Sequence, residues 1–338
     1  MGRDLKKDPL RLGILGCGSF MQRRILTALP ETPTVQVVNL QKRDRNEAAA
    51  VARRFNVPRF TATREELLAD PEIEAVFIGT PNAMHEEDAL ACAKAGKHTL
   101  CEKPMAASTA GAQRMIEAFE QAGLQLLVGH CLRFKAATVR AREMLQSGRL
   151  GELRALRGFY SFPMPLGQWR SDWAMGGGVL LDLGIHIIDF IRFVSGQEIV
   201  GVSAMADPAF NPAEKRADRT VRALLRLSSG ATASMAVSYD EPFINGFEVI
   251  GAKEALLGWR SLRQSYDPGE CLRHVHDGGI TELRLLAGNV YADELAHLAL
   301  VLAGQKAPII PAADGLANQR VVEAAYHSIA TQKECPVG

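Results

Sequence analysis

The chain has 338 residues, 47% of them hydrophobic, with 39 Lys and Arg against 38 Asp and Glu. The length predicts two domains with ample core, and the balanced charge excludes the basic excess that attracts nucleic acid or an anionic membrane. Because no run of eighteen apolar residues occurs and the first nine residues lack an apolar stretch, we expect a soluble, cytoplasmic protein without a membrane span. Its expected partners are small molecules.

The N-terminal part of the chain alternates between short apolar runs and helical spacing. Strands are predicted at 11–16, 35–40, 75–79, 98–101 and 125–129. Helices are predicted between them at 19–29, 46–55, 85–95 and 108–123. This alternation predicts a doubly wound parallel sheet in a first domain over residues 1–130.

The pattern changes after about residue 130. A predicted helix ends at Leu145, and apolar or alternating segments such as 153–160 and 231–239 then follow one another with turns between them. The last forty residues return to helical spacing. We therefore predict a second domain over 131–338, an α+β domain with an open, mostly antiparallel sheet.

A glycine-rich turn joins the first predicted strand to the first predicted helix. Gly16 permits a tight turn, and Gly18 lets the backbone approach a pyrophosphate at the helix start, where Ser19 and Phe20 are further candidate contacts. Met21 stands where the dinucleotide fingerprint has its third glycine. The alternative is an ordinary strand-to-helix turn, but its place in a βαβ unit favours dinucleotide binding.

The second strand is followed by cations where NAD enzymes usually carry an acid. Lys42 and Arg43 can pair with a 2′-phosphate, which favours NADP over NAD. Two alternatives stay open: the two cations form a solvated loop, or Asp44 turns inward to the ribose.

Two further segments carry candidate acid–base groups. Asp182 and His186 are four residues apart, so they share one face of a helix, and a carboxylate beside an imidazole suits a proton acceptor for a substrate hydroxyl. Asp189, three residues beyond, is an alternative carboxylate. Lys103 follows a predicted strand directly, where ligands bind in open α/β sheets, and its charge can stabilise a substrate oxygen.

The six cysteines are scattered without paired spacing, which fits thiols in a reducing compartment. Cys, His and Asp cluster within 271–277, but a structural zinc site usually needs four ligands at definite spacings. We therefore predict no metal site there, and a polar-faced strand that ends in a turn.

Together these segments resemble the Gfo/Idh/MocA oxidoreductase family, named for glucose-fructose oxidoreductase and inositol dehydrogenase. The resemblance rests on the Gly16 loop and on the segments 79–85, 95–98, 102–104 and 176–186. It implies a Rossmann domain, a second domain whose sheet forms homodimer or homotetramer contacts, and sugar, polyol or cyclitol substrates bound between the domains.

The resemblance also assigns residues. The family's catalytic lysine, aspartate and histidine fall on Lys103, Asp182 and His186, which with Arg170 would also bind substrate. Cofactor contacts fall on Thr80, Pro81, Asn82, His85, Glu102, Lys103, Trp169 and Arg170.

Three functions follow from this reading. The leading hypothesis is an NAD(P)-dependent dehydrogenase or reductase acting on CH–OH groups, with NADP as the expected cofactor. A second is an NAD-assisted glycosidase of similar fold, in which the cofactor is restored within each turnover. A third is a non-catalytic NADP-binding sensor, against which the intact Lys103, Asp182 and His186 set argues.

Overall fold

The computed structural model describes residues 4–167, 169–214, 216–264, 267, 269–286 and 288–338. The chain divides into two compact units. The first comprises Met1–Gly129 and Tyr291–Leu316, and the second comprises His130–Val290 and Ala317–Gly338. The predicted domains 1–130 and 131–338 differ from these units in the segment Tyr291–Leu316.

This segment lies within the first unit instead of the second. The ring of Tyr291 packs edge-on against Phe20 with centroids 5.7 Å apart. The backbone N–H of Val128 donates to the carbonyl of Ile310 at 3.0 Å. Helical periodicity shows that a helix has an apolar face, but it does not show which sheet that face covers. Spacing alone therefore does not assign this segment to the first domain.

The first unit contains a six-stranded sheet in which all neighbouring strands are parallel. Its strands are β1 (Leu10–Leu15), β2 (Val35–Gln41), β3 (Arg59–Thr61), β4 (Ala75–Ile78), β5 (His98–Glu102) and β6 (Leu126–Gly129). They lie in the order β3-β2-β1-β4-β5-β6, so the strand order reverses between β1 and β4. The predicted doubly wound parallel sheet is confirmed, and ligands of such sheets bind at the carboxyl ends beside the reversal.

Helices and short turns connect these strands. The α-helices are α1 (Arg45–Phe55), α2 (Arg64–Leu68), α3 (His85–Lys94) and α4 (Thr109–Ala122). Asp44 caps α1 by accepting a hydrogen bond from the N–H of Glu47, and Ser108 caps α4 through the N–H of Gly111. Both caps are short polar side chains of the type that satisfies a first-turn N–H group.

The first helix is shorter than the predicted 19–29. Residues 19–25 are helical, and the N–H of Leu26 donates to the carbonyl of Met21 at 2.9 Å, five residues earlier, as in a π-turn. A 3-10 turn, Leu29–Glu31, follows. Pro30 has no N–H to donate, so a regular helix does not continue through it.

The second unit contains a nine-stranded sheet. Its strands are β7 (Leu153–Ser161), β8 (Ile199–Ala206), β9 (Thr220–Leu227), β10 (Thr232–Ser238), β11 (Ile244–Gly251), β12 (Ala255–Trp259), β13 (Cys271–His276), β14 (Gly279–Leu283) and β15 (Cys335–Pro336). They lie in the order β14-β13-β12-β11-β7-β10-β9-β8-β15, and only β7 and β10 pair in parallel. The predicted open, mostly antiparallel sheet is confirmed.

The predicted strand at 271–277 is β13, which turns into β14. Nε2 of His274 donates a hydrogen bond to the carboxylate of Glu254 at 2.7 Å. Across the described ranges, no group of three or more His, Cys, Asp and Glu residues is placed to hold a metal ion.

The core of the second unit lies between this sheet and its helices. These are α5 (Ala136–Gln146), α6 (Ile185–Ser195) and the part of α8 (Ala312–Thr331) that lies beyond Leu316. A further helix, α7 (Val290–Leu302), runs almost wholly within the first unit. A π-turn, Leu180–Gly184, leads directly into α6. Trp173–Ser195 is long and apolar enough to cross a membrane by length and composition, but 83% of its apolar window is buried inside the structure.

Candidate active site

The glycine turn after β1 has the shape that a dinucleotide loop requires. Gly16 has a φ of +82°, and a Cβ there would lie 2.6 to 2.9 Å from atoms of Thr80, so only glycine fits. The nearest atom to a Cβ on Gly18 would be the carbonyl oxygen of Gly16, at 3.9 Å. The turn is therefore packed on one side and open on the other, which leaves room for a pyrophosphate against the backbone.

Gln41, the last residue of β2, braces this turn. Its side-chain carbonyl accepts a hydrogen bond from the N–H of Gly16 at 3.1 Å, and its amide donates to the carbonyl of Ala62 at 2.7 Å. Its backbone carbonyl also accepts from the N–H of Cys17 at 2.8 Å. No sequence motif pointed to this role of Gln41, although a polar residue that ends a buried apolar strand is a usable signal.

The missing third glycine of the fingerprint is compensated from another strand. Met21 is fully buried, and a Cβ on Gly79 would lie 2.1 Å from the methyl carbon of Met21. The close approach that a glycine at position 21 would give is thus provided by Gly79, directly after β4. The departure at Met21 leaves the turn compatible with a nucleotide.

The cations after β2 differ in their surroundings. Lys42 is partly buried and forms an ion pair with Glu47 at 2.8 Å, whereas Arg43 is exposed. Asp44 is occupied as the cap of α1, so it does not turn inward to stand for the missing acid. A surface cleft of about 810 Å³ is lined by Ser19, Gln22, Arg23, Arg24, Thr27, Lys42 and Arg54. Three arginines that the sequence analysis did not single out therefore share a cleft with Lys42.

The turn after β4 is held by a buried carboxylate. The hydroxyl of Thr80 donates to Asp88 at 2.7 Å, and Asp88 also accepts a hydrogen bond from Arg64 at 3.0 Å. Pro81 precedes a 3-10 turn that begins at Asn82, whose side chain is buried. These candidate cofactor contacts lie at the carboxyl end of β4, as the sequence predicts.

His85 is predicted to contact the cofactor, but its side chain is buried inside the first unit. Its side chain is fully buried, with Nδ1 2.8 Å from the carbonyl oxygen of Pro104 and Nε2 2.9 Å from that of Thr80. Both ring nitrogens are thus committed to backbone carbonyls. The ring connects two loops of the first unit and is not exposed to a ligand.

Lys103 begins the loop after β5. Its side chain is partly buried, and its backbone N–H donates to the carboxylate of Glu102 at 3.2 Å. Glu102 packs against Gly129 at the end of β6, where a Cβ would lie 3.3 Å from the glutamate. The predicted catalytic lysine therefore lies at the carboxyl end of the parallel sheet, where the ligands of this fold bind.

A second carboxyl group lies near Glu102. Glu294, on α7, is completely buried, and neither of its oxygens has a hydrogen-bond partner among the described residues. Burial and then the charge of Glu102 raise the pKa of Glu294 well above its ordinary value, which favours its neutral form. An acid within an apolar helix was the sequence signal for this residue.

Asp182 lies in the π-turn before α6, within the second unit. One of its oxygens accepts hydrogen bonds from Arg170 at 3.0 Å and from the hydroxyl of Tyr239 at 2.7 Å. Burial and the charge of Asp182 raise the pKa of Tyr239 well above its ordinary value, so Tyr239 stays a donor. Arg170 thus contacts a predicted catalytic residue, while the side chain of its neighbour Trp169 lies outside the described residues.

His186 lies one turn beyond Asp182 and is almost fully buried. Its Nε2 is 3.0 Å from the amide nitrogen of Gln264, and the other amide atom of Gln264 accepts a hydrogen bond from the hydroxyl of Tyr160 at 3.3 Å. Because an amide nitrogen only donates, Nε2 of His186 accepts, and the ring proton resides on Nδ1. The lone pair of Nε2 is therefore held by the Gln264 amide, and it becomes available to a base only when another donor replaces that amide.

Asp189, the alternative carboxylate, lies in a buried hydrogen-bond network. It accepts hydrogen bonds from Arg133, the shortest at 2.6 Å, and from Asn318 at 2.8 Å. Burial acts to raise its pKa, but the charge of Arg133 and that of His130 lower it, so Asp189 is an ionised partner in a buried network. Its hydrogen bonds thus go to Arg133 and Asn318.

A buried carboxylate fixes the start of the helical segment that carries Asp182 and His186. Asp218 accepts hydrogen bonds from the N–H of Leu180 at 2.8 Å and from the hydroxyl of Tyr326 at 2.7 Å. Gly178 has a φ of +126°, and a Cβ there would lie 2.4 Å from Asp218. Burial raises the pKa of Asp218 to about 6, against the lowering effect of these hydrogen bonds. The sequence analysis did not identify this residue.

Both units match known sequence families. A profile described as the oxidoreductase family with an NAD-binding Rossmann fold matches residues 10–130, and the GFO/IDH/MocA C-terminal domain matches residues 138–257. The chain belongs to the Gfo/Idh/MocA oxidoreductase family. The resemblance seen in the motifs is thereby confirmed, and the chain is an oxidoreductase with an NAD(P)-binding domain.

Similar proteins cover most of the chain. The 1,5-anhydro-D-fructose reductase of Ensifer adhaerens is 31% identical over 310 residues, which cover 90% of this chain and 92% of that protein. The trans-1,2-dihydrobenzene-1,2-diol dehydrogenase of Mus musculus is 33% identical over 264 residues, or 77% of each chain. The crystal structure of an aldose-aldose oxidoreductase from Caulobacter crescentus, complexed with glycerol, has a TM-score of 0.90 at 27% identity, covering 97% of this chain and 99% of that one.

Proposed function

We propose that this Gfo/Idh/MocA enzyme is an NADP-preferring dehydrogenase or reductase that acts on a hydroxyl or carbonyl group of a sugar, polyol or related cyclic alcohol. The observation that carries the proposal is that Nε2 of His186 accepts a hydrogen bond from the Gln264 amide, because this fixes the tautomer in which Nε2 has the lone pair that a base needs. The two curated relatives support a cyclic, hydroxylated substrate, since each is named for one.

The proposed roles are those that the family resemblance implies for these residues. His186 takes the proton of the substrate hydroxyl at Nε2, where that hydroxyl replaces the Gln264 amide as the hydrogen-bond donor, and the ammonium group of Lys103 stabilises the charge that develops on the same oxygen. Asp182, oriented by Arg170 and Tyr239, accepts a hydrogen bond from an adjacent substrate hydroxyl. When bound, the nicotinamide ring supplies the hydride acceptor or donor. In the reverse direction the same groups return a proton to a ketone or lactone oxygen.

The preference for NADP is supported by the cations near the glycine turn. Lys42 shares a cleft with Ser19 and with Arg23, Arg24 and Arg54. Guanidinium and ammonium groups are suitable partners for a 2′-phosphate, whereas the ribose diol of NAD needs an acceptor that Asp44, as a helix cap, does not offer. Association into dimers or tetramers and a cytoplasmic location stay predictions.

A substrate panel combined with one variant tests the proposal. Aldoses, inositols and anhydrosugars are assayed for an absorbance change with NAD and with NADP. For a substrate so identified, Lys103→Ala should lower turnover by about two to four powers of ten, the usual scale for a positioned catalytic group, while cofactor affinity changes little. Lys94→Ala, which removes an exposed lysine of the same unit, is the control and should leave turnover unchanged.

Three outcomes would contradict the proposal. Half the parent turnover in Lys103→Ala would remove this lysine from the mechanism. A tightly co-purifying cofactor with glycoside cleavage and no net NADP reduction would indicate the NAD-assisted glycosidase. Cofactor binding without turnover on any member of the panel would indicate the non-catalytic sensor.

A further inference from the structure

The loops that follow β4 and β5 are joined by a single side chain. His85, at the start of α3, is completely buried, and its two ring nitrogens lie 2.8 and 2.9 Å from the carbonyl oxygens of Pro104 and Thr80. Thr80 belongs to the turn that holds the candidate cofactor contacts. Pro104 directly follows Lys103, so the ring spans from one functional loop to the other.

Counting donors and acceptors shows that this arrangement depends on charge. A carbonyl oxygen only accepts, whereas a neutral imidazole has one N–H and one lone pair. In the neutral ring one nitrogen lone pair would therefore face a carbonyl oxygen at hydrogen-bond distance, which is repulsive. Only the imidazolium form donates to both Pro104 and Thr80.

The groups around the ring have opposite effects on the pKa of His85. Burial and the positive charge of Lys103 disfavour the second proton, whereas the two carbonyl groups and the carboxylate of Asp88 favour it. Asp88 lies three residues further along α3 and is itself held by Arg64 and Thr80. Burial is the largest of these effects, and the pKa of His85 is below its ordinary value. Proton binding at His85 therefore falls on the acid side of neutrality.

We propose that His85 is a positioning residue that ties the loop of Lys103 to the loop of Thr80, and that the tie is complete only when both ring nitrogens carry protons. This inference rests on the proposed function, in which Lys103 acts on the substrate oxygen and Thr80 contacts the cofactor. The hydrogen bond to Pro104 sets the place of Lys103, and the hydrogen bond to Thr80 sets the cofactor turn. Each bond should therefore control a different kinetic property.

Two variants separate the bonds. The amide nitrogen of asparagine lies near the position of Nδ1, so His85→Asn keeps the donor to Pro104 and loses the donor to Thr80. The amide nitrogen of glutamine lies near the position of Nε2, so His85→Gln keeps the donor to Thr80 and loses the donor to Pro104. Because each variant loses one hydrogen bond, both should be destabilised to a similar extent in thermal unfolding.

The kinetic result expected is a crossed pattern. His85→Gln should have a kcat about two- to tenfold below that of His85→Asn, and His85→Asn should bind NAD about two- to tenfold more weakly than His85→Gln, the range for one lost hydrogen bond. NAD is the probe because it lacks the 2′-phosphate, which titrates in the same pH range. Equal losses of kcat and of NAD affinity in the two variants would overturn the proposal and leave His85 a structural residue.

The protonation state is measured separately, without turnover. In the parent labelled with ¹⁵N-histidine, the signals absent from His85→Asn identify the ring among the 8 histidines. Both ring nitrogens should become protonated as the pH falls below the ordinary histidine value, and the affinity for NAD should rise over the same range. A ring that stays neutral at every pH at which the protein is folded would overturn the proposal. If the parent shows no hydride transfer, the proposed function fails, while this measurement still decides the state of His85.

Discussion

The candidate functional residues of the two units are held in place in different ways. In the first unit, backbone atoms define the geometry: Gly16 packs against Thr80 where no Cβ fits, and His85 bonds two carbonyl groups. In the second unit, side chains define it: Asp182 is oriented by Arg170 and Tyr239. The contact surface of the glycine turn in the first unit follows mainly from the path of the chain, which side chains such as Gln41 support, whereas the contacts of the second unit are themselves side chains.

This difference explains why enzymes of one fold recognise the cofactor in a similar way but differ in the substrate that they recognise. A dinucleotide presents the same pyrophosphate and nicotinamide to every enzyme that uses it, and a backbone turn recognises it without depending on particular side chains. Substrate recognition depends on convergent polar side chains, and these differ among enzymes of one fold. The helix with Asp182 and His186 is accordingly embedded in a side-chain network.

The largest expected effect is in the second unit, where side chains define the geometry. His186→Asn should lower the rate of substrate oxidation by about two to four powers of ten, because asparagine can hydrogen-bond the hydroxyl but cannot accept its proton. The rise of rate with pH that a neutral imidazole base produces should disappear as well. His276→Asn, at the end of β13, is the control. If His186→Asn keeps both the rate and the rise, another group takes the proton, and Lys103 is the next candidate.

The backbone geometry of the glycine turn in the first unit is tested by adding a single methyl group. Gly16→Ala places a Cβ 2.6 to 2.9 Å from Thr80 on a residue with a φ of +82°. Left-handed strain and crowding should together cost about 2 to 4 kcal/mol in the free energy of unfolding, measured in urea.

Gly18→Ala is the matched variant, because the nearest atom to its new Cβ would be 3.9 Å away. It should leave the unfolding midpoint nearly unchanged but weaken cofactor binding, since the methyl group fills the open side of the turn. A Gly16→Ala protein as stable as the parent would show that the turn is not fixed by its backbone.

Sequence reasoning succeeded where the relevant atoms lie close along the chain or follow from a repeated pattern. Gly16 and Lys103 each stand directly after a predicted strand, so alternating helices and strands were enough to place them at one edge of the sheet. The residues it missed act over long separations. Gln41 is 25 residues from Gly16, Asp218 is 38 residues from Leu180, and Gln264 is 78 residues from His186. Periodicity contains no information about such pairs.

Glu294 is a buried ionisable side chain of the first unit, and neither of its carboxyl oxygens has a hydrogen-bond partner among the described residues. Burial and the charge of Glu102 raise its pKa, so the folded protein favours its neutral form and unfolding favours its ionisation. The stability that it contributes is present at acid pH and is lost as the pH rises above the ordinary glutamate value. Glu294→Gln should therefore gain stability relative to the parent by about 1.4 kcal/mol per pH unit until the folded-state pKa is reached.

Urea unfolding of the parent and Glu294→Gln at several pH values from 5 to 8 measures this slope. Glu120→Gln, which changes an exposed acid on α4, should show no such trend. A constant difference between Glu294→Gln and the parent would mean that Glu294 is ionised in the folded protein, with a partner that supports its charge.

The smallest expected effect concerns the one place where a side chain should decide cofactor choice. Lys42→Ala should weaken NADP binding by about three- to tenfold and leave NAD binding nearly unchanged, because only NADP carries the 2′-phosphate. The effect is modest because the side chain of Lys42 is 26% exposed and already pairs with Glu47. Arg43→Ala should change less, since Arg43 is exposed and is not among the residues that line the cleft. Titrating both cofactors against both variants checks this order, and equal losses for NADP and NAD would show that the cations after β2 form a solvated loop with no part in recognition.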